Sequence, residues 1–91
     1  MTNIEKHAEL CEKMHKLYEA KNHDYGDSFH ITYLEEGMAM PRIRLSDKLA
    51  RFKKLTREAG MVKDESLKDT LMDLANYAIM TLIELEEDVE R

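Results

Sequence analysis

The sequence predicts an all-α protein, and three observations carry that prediction. The first is composition: one proline, three glycines and no tryptophan stand against abundant Leu, Met, Glu, Lys and Ala, a balance that favours helix over sheet. The second is periodicity, since apolar residues recur at spacings of three and four rather than in alternation. The third is punctuation, because Gly26, Gly37, Pro41 and Gly60 fall between the periodic stretches. Ninety-one residues make a single domain, 1–91, which buries a smaller fraction of its surface than larger domains do and is marginally stable unless it associates. The expected architecture is two long helices and a shorter basic helix, a bundle completed by homo-oligomerisation.

The first helix is expected to start at Thr2-Asn-Ile-Glu5, which fits a capping box: the threonine hydroxyl accepts from an early helical amide and the glutamate reaches back. Ile4, Ala8, Cys11, Met14 and Tyr18 then form an apolar stripe, widened by Leu10 and Leu17, and Cys11 on that stripe reads as a core residue. Gly26 is the natural terminator, with Asp27 or Ser28 free to cap a short next segment. Residues 28–40 show no clean period and read as a loop with at most a turn of helix. Pro41 suits a first helical position, and Leu45, Leu49, Phe52, Leu55 and Ala59 carry a strongly basic helix to Gly60. Asp64 or Ser66 caps the last helix. Its stripe of Leu67, Leu71, Leu74, Ala78, Leu82, Leu85 and Val89 is flanked by a second, Met72, Ala75, Ile79 and Ile83. A helix apolar on that much of its circumference is buried on more than one side. The tail ELEEDVER reads as a solvated acidic end.

Several function classes fall away. A net charge of −5, from 19 acids and 14 bases, argues against direct DNA binding as the main role. The most hydrophobic run, Leu67 to Leu85, is interrupted by Asp69, Asp73 and Asn76, so no membrane span is expected. A lone cysteine and the absence of a signal-peptide pattern point to a reducing cytoplasm. His7, His15 and His23 lie eight residues apart, about 12 Å along a helix, and cannot share a metal ion within one protomer. There is no nucleophile triad, zinc spacing or glycine-rich phosphate loop, and no catalytic residue is assigned.

Two constellations remain. Glu65, Asp69, Asp73 and Asn76, spaced four, four and three, line one helical face. Carboxylates so close call for compensation, either by a divalent cation such as Mg2+ or by basic side chains of a neighbouring helix. Asp73 and Asn76 sit among apolar neighbours and need partners. On the basic helix, Arg44, Lys48 and Arg51 share a face bordering the apolar stripe, with Asp47 able to pair Arg51. That face either meets the acids of the last helix or converges on phosphate. Lys53, Lys54 and Arg57 read as a solvated basic face. Met38 and Met40 read as core filling that could also line a pocket.

KNHDYGDSF at 21–29, followed by RIRLSDKLARFKKL and VKDESLKDTLMDLANYAIM, resembles the pattern of a nucleotide-modification-associated domain family, small α-helical proteins frequent in phage genomes. The resemblance spans roughly residues 17–84 and implies a nucleotide-related role. The acidic last helix is also similar to that of the MazG-like all-α nucleoside triphosphate pyrophosphatases, which hold magnesium with acids from two helices. This sequence departs from their Glu-x-x-Glu and Glu-x-x-Asp spacing, offering Asp47 alone on the basic helix and Glu65 and Asp69 one residue too far apart.

Beside that resemblance, the residues themselves supply the parts of a nucleotide pocket. Lys21, Arg44, Lys48 and Arg51 suit phosphate, Tyr25 and Phe29 offer stacking faces, and Asp24, Asp27, Ser28 and Asn76 suit ribose or base edges. Against this, DYGD is equally a glycine-terminated helix end with core aromatics. The leading expectation is a homo-oligomer that holds a nucleotide without turning it over, sequestering an immune signal in the host cytoplasm if phage-encoded. The alternatives are a Mg2+-dependent pyrophosphatase using Glu65, Asp69 and Asp73, and a structural helical protein whose acids and bases pair with each other.

Overall fold

The computed structural model describes residues 1–25, 27–58 and 64–90, with the side chains of residues 24, 25, 64, 65, 89 and 90 left aside. It is all-α, with no strand among the described residues. Among the described residues four helices run in order, α1 (Asn3–Tyr25), α2 (Ser28–Glu36), α3 (Ala39–Arg57) and α4 (Asp64–Glu90), one more than the sequence predicts.

The capping box forms as expected: Glu5 N donates to Thr2 Oγ1 and Thr2 N to Glu5 Oε1, both at 3.1 Å, satisfying two amides that have no partner within the helix. The backbone and hydroxyl of Thr2 together hold the Glu5 carboxyl below its ordinary value. Gly26 and Gly60, expected as terminators, lie outside the described residues.

Residues 28–40 are not a loop. Ser28–Glu36 is helical and is anchored by tertiary contacts: Phe29 stacks on Tyr77, His30 meets Glu84, and the Tyr33 hydroxyl donates to Asp88 Oδ2. Asp27 occupies the N-cap position of α2 without a side-chain capping bond, and Ser28 is already inside the helix. Gly37 ends α2 at φ 67°, a left-handed backbone that glycine adopts without strain, and its amide donates to Tyr33 O at 2.8 Å. The chain then re-enters helix at once. Pro41 is the third residue of α3 rather than the first, still within the turn whose amides lack helical partners. α3 ends at Arg57, where Glu58 N donates to Lys54 O. Ser66 is not a cap: it lies inside α4 and its carbonyl accepts from Thr70 Oγ1 at 2.8 Å.

α4 is the central element, in contact with each of the other three helices. α1 and α3 run antiparallel to it, as their cross-links show: Lys21 and Lys48 both reach Asp73, while Met14 lies by Asn76 and Arg51 by Thr70. The core is small. Among the described residues Tyr33, Met40 and Pro41 are the buried apolar side chains, whereas Ile79, Leu82, Ile83 and Leu85 on α4 and Ile4 and Leu10 on α1 are exposed. Cys11, expected in the core, is exposed as well. The apolar stripes of α1 and α4 exist as read, but this chain alone leaves much of them uncovered.

Candidate functional site

A cleft of about 390 Å³ opens where α1, α2 and α3 meet the middle of α4, with Lys21, Phe29, Arg44, Asp73, Asn76 and Tyr77 among its walls. Such a volume falls in the range of small-molecule sites. Five of those six are residues the sequence singled out, and they arrive from all four helices. Met40 closes the cleft from α3 as well as filling the core.

Asp73 organises the polar wall. Its Oδ1 accepts from Lys21 Nζ at 2.9 Å and its Oδ2 from Lys48 Nζ at 3.0 Å. Its side chain is 22% exposed and that of Lys48 27%, while Lys21 is half exposed. Burial pushes the Asp73 carboxyl up, but the two ammonium groups outweigh it and hold the group below its ordinary value. The acid compensation demanded by the sequence thus comes from lysines, one on each flanking helix. One turn along, Arg51 Nε donates to Thr70 Oγ1 at 3.2 Å; it pairs with neither Asp73 nor Asp47. Asn76 Nδ2 donates to the Met14 carbonyl at 3.2 Å, which ties α1 to α4 at the edge of the cleft.

The aromatic wall is the Phe29–Tyr77 pair, with ring centroids 6.0 Å apart and planes inclined by 23°, an offset stack of the kind aromatic pairs prefer. Tyr77 and Tyr18 line the cleft and were missed from sequence. The available signal was position: Tyr77 follows Asn76 within the apolar LANYAIM, one step around the helix toward α2.

The Asp24, Tyr25 and Glu65 side chains lie outside the described residues. Asp69 is exposed, and Asp73 is committed to two lysines rather than to a cluster of acids. The grouping of ligand-type side chains found among the described residues is a different one, His30, Glu84 and Glu87. Glu84 is 3% exposed, which corrects the expectation of a solvated acidic tail. His30 Nδ1 lies 2.8 Å from Glu84 Oε2 and 3.7 Å from Glu87 Oε2. The hydrogen bond with Glu84 raises the His30 pKa above its ordinary 6.5, desolvation opposing it in part. The other histidines keep apart on α1, with His7 against Cys11 and His15 against Glu19.

No described helix is long and apolar enough to cross a membrane. The sequence model of a family described as nucleotide modification associated domain 1 matches residues 21–85, a span that begins at Lys21 and takes in every cleft residue named above except Tyr18. Neither a curated protein nor a solved structure matches the chain.

Proposed function

The chain belongs to the nucleotide modification associated domain 1 family, and on that premise we propose that the cleft binds a nucleotide, held without turnover. One observation carries the reading: a stacked aromatic pair and cationic side chains from two helices line the same cleft. A base extends the Phe29–Tyr77 stack. Phosphate oxygens meet Arg44, whose planar fork suits two of them at once, and Lys21, which swings from Asp73 at small cost because it is half exposed. Lys48 stays on Asp73 and keeps the wall neutral behind the ligand. Asn76, which also lines the cleft, offers its carboxamide to base or ribose edges.

Asp73 favours binding over turnover. Both of its oxygens are engaged by ammonium groups, so a catalytic magnesium ion would first have to displace two lysines. Sequestration draws away Lys21 alone and leaves the Lys48–Asp73 pair in place.

The reading includes a second copy of the chain. The accessible surface is 7122 Å², against about 5500 Å² for a typical folded monomer of this mass. The radius of gyration is 14.9 Å, against about 12 Å for a compact globule of this length. The exposed apolar residues of α4 and α1 supply a surface for a twin to cover.

The test is incubation of the full chain with a mixed panel of mononucleotides, triphosphates and cyclic dinucleotides in magnesium buffer, then filtration, heat release and chromatography. A nucleotide recovered intact in proportion to protein supports the proposal. Arg44→Ala should weaken its binding by about 2 kcal/mol, roughly thirtyfold in Kd, at unchanged helicity. Conversion to monophosphate and pyrophosphate would establish turnover instead, and an empty protein fraction would sink both.

A further inference from the structure

Behind Phe29 and Met80, which also wall the nucleotide cleft, a second cavity of about 240 Å³ carries a different chemistry. Asp27, His30, Glu84 and Glu87 line it with the Asn22 carboxamide, and no lysine or arginine is among its lining residues. Glu84 and Glu87 stand three apart on α4 and therefore share a face. His30 is delivered to them from α2.

The distances around His30 bring ligating atoms of three residues together. His30 Nδ1 lies 2.9 and 2.8 Å from the two Glu84 oxygens and 3.7 Å from Glu87 Oε2. One ring nitrogen carries at most one hydrogen, which the two Glu84 oxygens share, while Glu87 Oε2 at 3.7 Å stands beyond hydrogen-bond distance of it. A cation at the centre of the group would engage a donor atom from each of the three residues. One donor atom from each of the three residues lies within 4.8 Å of the others, compact enough to close on one ion with small side-chain adjustments. Glu84 is fixed by burial, while His30 and Glu87, at 25% and 46% side-chain exposure, have room to adjust. The charge is of the right sign for a cation, because a neutral imidazole stands among three carboxylates, Asp27, Glu84 and Glu87, with no lysine or arginine in the lining.

We propose that His30, Glu84 and Glu87 form a binding site for a divalent transition cation of the Zn2+, Co2+ or Mn2+ class. The imidazole nitrogen selects these ions over magnesium, which takes oxygen ligands and keeps its water. On binding, the cation takes the Nδ1 lone pair and the displaced proton goes to solvent. Three protein ligands leave a coordination position open toward the cavity.

The experiment is titration of the full chain with Co2+ in excess Mg2+, monitored by visible absorption, with Zn2+ added last. The expected result is ligand-field bands that saturate at one equivalent and are bleached by Zn2+. They should be lost in His30→Gln and Glu87→Gln and kept in His15→Gln, which removes a surface histidine beside a glutamate on α1. Glu87 is half exposed, so its variant tests the site without threatening the fold, and circular dichroism confirms helicity for each protein. Absence of bands in the parent chain, their persistence in Glu87→Gln, or their loss in His15→Gln overturns the proposal.

Discussion

Self-association gives the most demanding prediction. The difference between the observed 7122 Å² and the size-typical surface is about 1600 Å² per protomer. A two-fold pair that removed it would bury about 3200 Å² in total, within the range of obligate interfaces. Ile79 and Leu82 on α4 are 47% and 57% exposed. Completing the burial of each is worth about 1 kcal/mol, roughly half of what a fully exposed side chain gains. Ile79→Asp with Leu82→Asp changes four side chains in a two-fold dimer, so the cost is about 4 kcal/mol, or about a thousandfold in dissociation constant. Light scattering behind size exclusion, run over a dilution series, reads the mass directly. A parent chain that elutes as a 10.7 kDa species at every concentration refutes the reasoning, as does a double variant that associates as tightly as the parent.

Three further outcomes rest on contacts within one chain. Asp73→Asn should lower stability by about 1–2 kcal/mol, between the values for exposed and buried pairs, and Lys48→Met should cost more than Lys21→Met because Lys48 is the less exposed partner; denaturant titration would contradict this by showing the reverse order. Because the His30 pKa is raised on folding, its contribution is complete below its unfolded value near 6.5 and is lost as pH rises through the higher folded value. Metal-free protein should therefore lose stability across that window, and His30→Gln should flatten the slope; an unchanged slope would show that another group controls it. Thr2→Ala removes one half of the capping box and should cost about 1 kcal/mol, visible as fraying of the α1 N-terminus in amide exchange.

The contrast between α1 and α2 shows what could be read in advance. The α1 start is written in four adjacent residues, and short-range chemistry completes it without help from the rest of the chain. α2 has only nine residues, too few to be stable alone, and its anchors lie on α4, at Tyr77, Glu84 and Asp88. No local window contains that information. In the cleft, residue types were legible and partners were not: Lys21, Phe29, Arg44 and Asn76 do line one cavity, but that Asp73 takes Lys21 and Lys48 while Arg51 takes Thr70 depends on helix register. Glu84 was masked by the acidic run around it. Its immediate neighbours, Ile83 and Leu85, were the available sign that this acid differs from the rest.

The order of the helices along the chain bears on how the protein is made. α4 supplies the partners of the other three: Asp73 and Asn76 for α1, Tyr77, Glu84 and Asp88 for α2, and Thr70 and Asp73 for α3. During translation α4 leaves the ribosome after all of them. Until it does, α1 has nothing substantial to dock on, and α2 and α3 have chiefly each other. Nascent chains would therefore present the sticky faces of three unanchored segments to the cell, and then consolidate in one late event when the organising helix emerges.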